Sequence, residues 1–192
     1  MTDAVNALPK SPLSTSSRDR VYRTEAIVLS RFDLGETDRI FTLLTRDRGK
    51  VPLAFELLIY PMLDDRTVTT GDPHPYTGEF IWTHDANQFG WTSYLGQAPG
   101  SEGVSPYAAA ARAQSLAGLP PTYLCVGALD LFLEEDLEYA RRLMREGVPT
   151  ELHVYPGAYH GFNLMPQAQV SQAFQRDFMA ALRRALQPRV PA

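Results

Sequence analysis

The chain is 192 residues long, 44% of them hydrophobic, with a formal net charge of −4. That is enough for one ordinary domain or two small ones with a substantial core. It excludes a chain too polar to fold, and no apolar run approaches the length of a membrane span.

Charge is uneven. Residues 1–50 hold 9 Lys/Arg against 7 Asp/Glu, whereas residues 51–192 hold 9 against 15. The small basic excess is weak support for nucleic-acid binding, but it suggests two origins for the chain. The single Cys125 has no partner for an intramolecular disulfide, and the N-terminus lacks the apolar core of a signal peptide. A soluble protein of the reducing cytoplasm is the expectation.

Residues 1–20 are rich in Ser, Thr and Pro and read as a disordered leader. From Val21 the pattern changes. Thr24 to Arg31 is β-prone, Gly35 marks a turn, and Arg39 to Arg48 follows with Gly49-Lys50 after it. Far downstream, Tyr123 to Val126 is a short apolar run that suits a strand buried on both faces. Leu133, Leu137, Ala140, Leu143 and Met144 then recur at helical spacing until Gly147 and Pro149 stop them, and Leu152 to Tyr155 forms a second strand. A strand, a crossover helix and a strand form a right-handed parallel unit whose strand C-termini share one sheet edge. Asp130 and His160 fall just past those ends, where open α/β sheets bind ligands. A buried Asp orienting a His, with the His taking a proton from a hydroxyl nucleophile, is the chemistry such a placement serves.

Two resemblances divide the chain after its leader. Residues 21–51, through "YRTEAIVL", "GETDRI" and "TRDRGKV", resemble the start of the RecO family of recombination mediators. There the same run opens an oligonucleotide-binding barrel (OB-fold), which implies single-stranded DNA as a partner and Arg39, Arg46, Arg48 and Lys50 as phosphate contacts. Asp33, Glu36, Asp38 and Asp47 dilute that basic field, so a solvated face is the plainer reading. Residues 52–192 are similar to the C-terminal half of the hormone-sensitive-lipase-like carboxylesterases, through PLAFELLIYPMLDDR, GWTSYLG, SPYAAAARAQSLAGLPPTYLCVGALDLF and ELHVYPGAYHGF. That resemblance implies a partial α/β-hydrolase: a parallel sheet of three or four strands flanked by helices, following a short β-rich N-terminal fragment. It implies a strand at Phe55 to Pro61, Asp64-Asp65-Arg66 at the rim of the active site, and a helix from His84 to Leu95 capped by Thr83. A last helix is expected from about Gln167 to Leu186, with Val170, Phe174, Phe178, Leu182 and Leu186 on one stripe. It also implies that Asp130 and His160 are the acid and base of a Ser-His-Asp triad acting on small carboxylic esters.

The family's nucleophile is a Ser in a G-x-S-x-G elbow, and these 192 residues contain no such motif. Thr37 is the nearest imitation, but no second Gly follows it, and a polar turn residue is the better account. Ser93, Ser101 and Ser105 stand in turn or helix-end contexts. No cofactor is expected, and His74 and His84 lack metal-ligand spacing. His153 alternates with apolar neighbours and reads as structural, while Glu134, Glu135 and Asp136 suit the positive end of a helix.

An apolar strand at Phe55 to Pro61 with an open edge would invite self-association. Arg39 to Thr45 answers that edge in one of two ways. It pairs with Thr24 to Arg31 as a hairpin, as in RecO. Or residues 39–48 form a helix capped by Asp38 and ended by Gly49, with Ile40, Leu43 and Leu44 on one face, making a βαβ unit from Thr24 to Pro61. The helix is favoured here, because a parallel neighbour requires a crossover. Three functions are therefore in play: an incomplete esterase, a DNA-binding module, and a non-catalytic interaction protein.

Overall fold

The computed structural model describes residues 26–33, 39–45, 49–51 and 55–186. The leader, Thr37, Arg46 and Arg48 lie outside them. Among the described residues there are two three-stranded sheets of different design.

The first sheet is antiparallel, in the order β1 (Ala26–Asp33), β2 (Arg39–Thr45) and β3 (Gly49–Val51). Its register runs from Ala26 opposite Thr45 to Asp33 opposite Arg39, with a shift between Val28 and Ser30. Residues 39–45 are therefore a strand, which corrects the helical expectation and removes the βαβ unit built on it. Two causes favour the strand. Ile40, Phe41, Thr42 and Thr45 are β-branched or aromatic and suit a pleated surface. An antiparallel partner is reached through a short turn, whereas a parallel one needs a crossover. Arg39 lies on β2 and Lys50 on β3.

The second sheet is parallel, in the order β4 (Glu56–Ile59), β5 (Thr122–Gly127) and β6 (Thr150–Tyr155). Every residue of β5 is buried, as its near-continuous apolar run requires. Helix α1 (His84–Leu95) starts where the Thr83 hydroxyl accepts the Ala86 N–H and stops at Gly96, whose φ of 67° is left-handed. Helix α2 (Leu133–Arg145) links β5 to β6, and α3 (Gln169–Leu186) closes the described chain.

Successive strand side chains face opposite ways, and the core divides accordingly. Tyr123 and Cys125 join Tyr155, Trp91 of α1, and Phe174 and Ala181 of α3. Leu58 and Leu124 join Tyr139, Ala140 and Leu143 of α2. Within the α3 stripe, Phe174 is buried, and Val170 and Phe178 pack against the first cluster.

The segment leaving β4 is tied down by polar groups. Asp65 is fully buried and takes a two-pronged bond from Arg112 at 2.6 and 2.8 Å, with the Gly100 N–H at 2.6 Å. Burial pushes the Asp65 carboxyl up, but the Arg112 and Gly100 bonds outweigh it and hold the group below its ordinary value. Glu135, in the first turn of α2, accepts the Leu63 N–H at 2.6 Å, the Asp64 N–H at 3.1 Å and the Thr67 hydroxyl. Its role exceeds the helix-dipole reading: one buried carboxyl anchors the chain beyond β4 to α2.

Candidate active site

Asp130 sits three residues past the end of β5, in a turn closed by Asp130 N–H to the Gly127 carbonyl at 3.1 Å. Its side chain is fully buried and both oxygens are used. Oδ1 accepts the Phe132 N–H at 3.1 Å, which fixes the entry into α2, and Oδ2 lies 3.0 Å from His160 Nδ1. His160 follows β6 by five residues, and its side chain is 18% exposed. With Nδ1 committed to the carboxylate, Nε2 is the nitrogen left for a reacting group.

The two loops are held against each other by main chain. The Ala158 carbonyl accepts the Leu129 N–H at 2.8 Å, and the Tyr155 carbonyl accepts the Ala128 N–H at 2.9 Å. This approach depends on Gly127, where an added Cβ would stand 2.3 Å from the Ala158 oxygen. Three aromatic rings from different elements pack against the imidazole: Tyr60 at 4.4 Å between centroids, Phe132 at 5.3 Å and Trp82 at 5.8 Å. The Trp82 indole N–H donates to buried Asn87 of α1 at 3.1 Å. Sequence reasoning missed all three rings. They share no periodicity, and their only signal is position: Tyr60 beside a strand end, Phe132 at the cap of α2 and Trp82 just before the cap of α1.

Ile81 and Leu164 flank Gly161, the residue after His160, and are 67% and 75% exposed. Ile81 has a φ of 63°, a strained backbone for a β-branched residue. Its neighbour Phe80 packs its ring 5.5 Å from Tyr159. The collar beside His160 is thus apolar.

The other sequence candidates lie apart from the pair. His74, His84, Asp64, Arg66 and Glu134 line an open polar cleft beside Leu131, to which neither Asp130 nor His160 contributes. His153 bonds Glu151 at 2.9 Å and stacks on Tyr155, in keeping with a structural role. Asp65, expected at a rim, turns inward to Arg112. Ser101 and Ser105 bond only local backbone, Ser101 Oγ to the Ala98 carbonyl and Ser105 Oγ from the Tyr107 N–H.

The parallel sheet, its crossover helix and the match of residues 39–164 to the alpha/beta hydrolase fold place the chain in that family. Within it the chain is similar to Esterase LipI of Mycobacterium tuberculosis, 30% identical over 118 residues that make up 61% of this chain and 36% of LipI. Among solved structures it superposes on a Bacterial Heroin Esterase with a TM-score of 0.66 at 40% identity, covering 74% of this chain and 46% of that one. Esterase LipW of Mycobacterium marinum gives a TM-score of 0.60 at 37% identity, covering 71% of this chain and 42% of that one. The chain thus spans less than half the length of these esterases. Residues 20–56 match the N-terminal part of recombination protein O. DNA repair protein RecO of Bifidobacterium animalis subsp. lactis is 68% identical over 31 residues, 16% of this chain and 13% of that protein. The chain therefore joins a RecO-like start to an esterase-like α/β-hydrolase portion. Among the described residues no helix is long and apolar enough to cross a membrane.

Proposed function

We propose that residues 52–192 supply the acid and base of a carboxylic-ester hydrolase and need an attacking hydroxyl from outside these 192 residues. In this reading Asp130 orients His160 and stabilises its cation, while His160 Nε2 takes a proton from the nucleophile and later returns it to the leaving alcohol. The observation that carries it is the 3.0 Å bond between His160 Nδ1 and the buried Asp130 carboxyl. Likeness to proteins named as esterases supports the substrate class, and the apolar collar of Ile81 and Leu164 suits the apolar part of a small ester. An acid–base pair without its nucleophile keeps little rate beyond that of a binding pocket. The chain is therefore expected to take no stoichiometric label from a fluorophosphonate and to release no p-nitrophenol from a short acyl ester in a manner that depends on His160. Stoichiometric labelling, or turnover abolished by His160→Ala, would overturn the missing-nucleophile reading.

A second reading rests on the RecO-like segment. The likeness of residues 20–56 and the antiparallel β1–β3 sheet support an oligonucleotide-binding surface that uses Arg39, Arg46, Arg48 and Lys50. Salt-sensitive binding of single-stranded DNA, weakened by Arg46→Ala with Arg48→Ala, is its expected signature. Binding indifferent to salt and to that double change would remove it.

A further inference from the structure

A histidine that moves protons must keep one orientation while its charge changes, and a carboxylate at one nitrogen fixes only part of that geometry. Packing by Tyr60, Phe132 and Trp82 supplies part of the rest, and a further part comes through the loop of His160 itself. Two residues past the histidine, Phe162–Leu164 form a single 3-10 turn, and Asn163 stands at its centre. The Asn163 side-chain oxygen accepts the Tyr60 hydroxyl at 2.8 Å, across 103 residues of sequence. Tyr60 is itself held firmly. It is 6% exposed, its N–H donates to the Cys125 carbonyl at 2.6 Å, and its φ of 37° places it in the left-handed region. Such backbone costs energy in a non-glycine residue and persists only where its surroundings impose it. The conformation delivers one ring to two tasks. Its body lies 4.4 Å from the His160 ring at an interplanar angle of 63°, and its hydroxyl reaches past to Asn163.

We propose that Tyr60 and Asn163 are positioning residues for His160, a strut from the end of β4 that sets the angle of the histidine loop. The inference rests on the reading of Asp130 and His160 as a proton-handling pair and adds the residues that hold it in register. A buried side chain used only for packing needs no hydroxyl, and a loop tied only by main chain needs no Asn163. The groups facing His160 are Asp130 from the turn after β5, Tyr60 from just past the end of β4, Trp82 from the turn before α1 and Phe132 from the start of α2. Asp130 is the one carboxylate among them, so loosening the strut acts on the pair through geometry rather than through a new charge.

The test uses the intact chain and NMR of the His160 Nδ1 proton, whose exchange with water reports how long the bond to Asp130 stays closed. Tyr60→Phe keeps the ring and deletes the hydroxyl, while Asn163→Ala deletes the acceptor from a partly exposed site with little risk to folding. Each is expected to speed exchange of that proton by roughly three- to tenfold, the factor set by one hydrogen bond of ordinary net strength. The double variant should be no faster than either single one, because both changes remove the same bond. Asn163→Gln, which can restore an acceptor, should recover part of the protection. Unchanged exchange in Tyr60→Phe and Asn163→Ala, or additive effects in the double variant, would overturn the strut. A protected Nδ1 proton missing from the unaltered chain would instead overturn the Asp130–His160 pairing, and the strut with it.

Discussion

The two sheets have the same number of strands and opposite logic. In the antiparallel sheet β1 and β2 are separated only by residues 34–38, and β2 and β3 only by residues 46–48. In the parallel sheet β4 and β5 are separated by residues 60–121, and β5 and β6 by α2 and its flanking turns. The first can be assembled from neighbours at small loop-closure cost but gathers nothing from afar. The second orders long connections, and in return places the ends of β5 and β6 side by side, which is why Asp130 and His160 meet there. A carboxylate and an imidazole from distant segments can meet on the second plan because its strands all run the same way.

That contrast can be broken experimentally. The largest effect is expected from Asp65→Asn, which leaves Arg112 without its buried counter-charge and should cost about 3–5 kcal/mol in urea unfolding. Hydrogen exchange should then show protection lost from β4, β5 and β6 and kept in β1, β2 and β3. The opposite outcome is expected of Leu43→Pro. Leu43 lies inside the central strand β2, opposite Val28 and Val51, and a proline there should remove a ladder hydrogen bond and abolish the antiparallel pairing while sparing the parallel sheet. If either variant strips protection from both sheets alike, the two fold as one unit and the contrast fails.

Smaller changes sharpen it. Gly127→Ala should force the Ala158 carbonyl away and cost about 1–3 kcal/mol, with loss of the protected His160 Nδ1 proton as its local signature. Burial is the largest influence on Glu135 and raises its carboxyl from 4.5 to about 8, against the pull of its three donors. Between those two values the folded chain holds a proton that the unfolded chain has released. Stability should therefore fall as pH rises through that window, and Glu135→Gln should flatten the fall when urea midpoints are compared across it. The least effect on stability, about 1 kcal/mol, is expected from His160→Gln, which removes one partly exposed partner of Asp130.

The legible parts of the sequence were those in which local pattern and fold agree. The apolar run Tyr123 to Val126 became a buried strand, and Gly147 and Pro149 ended α2 where their backbone preferences required, while the helix from His84 to Leu95 with its Thr83 cap follows what the esterase resemblance implied. Arg39 to Thr45 was misread because Ile40, Leu43 and Leu44 fit a helical face while their neighbours fit a strand, and a pairing partner decided the matter. Glu135 does stand in the first turn of α2, as an acid there has an adequate local explanation, but only packing showed three donors converging on it.

The amino-acid order alone therefore determined the strand, helix and strand that run from Tyr123 to Tyr155, and that Asp130 and His160 follow the ends of neighbouring parallel strands. Strand direction and short turns propagate over a few residues, so they can be read along the chain. Tertiary structure alone decided that β2 is a strand, that Ala158 lies over Gly127, and that Tyr60 reaches across 103 residues to Asn163. Contacts at that separation depend on how the layers pack, and no local preference encodes them.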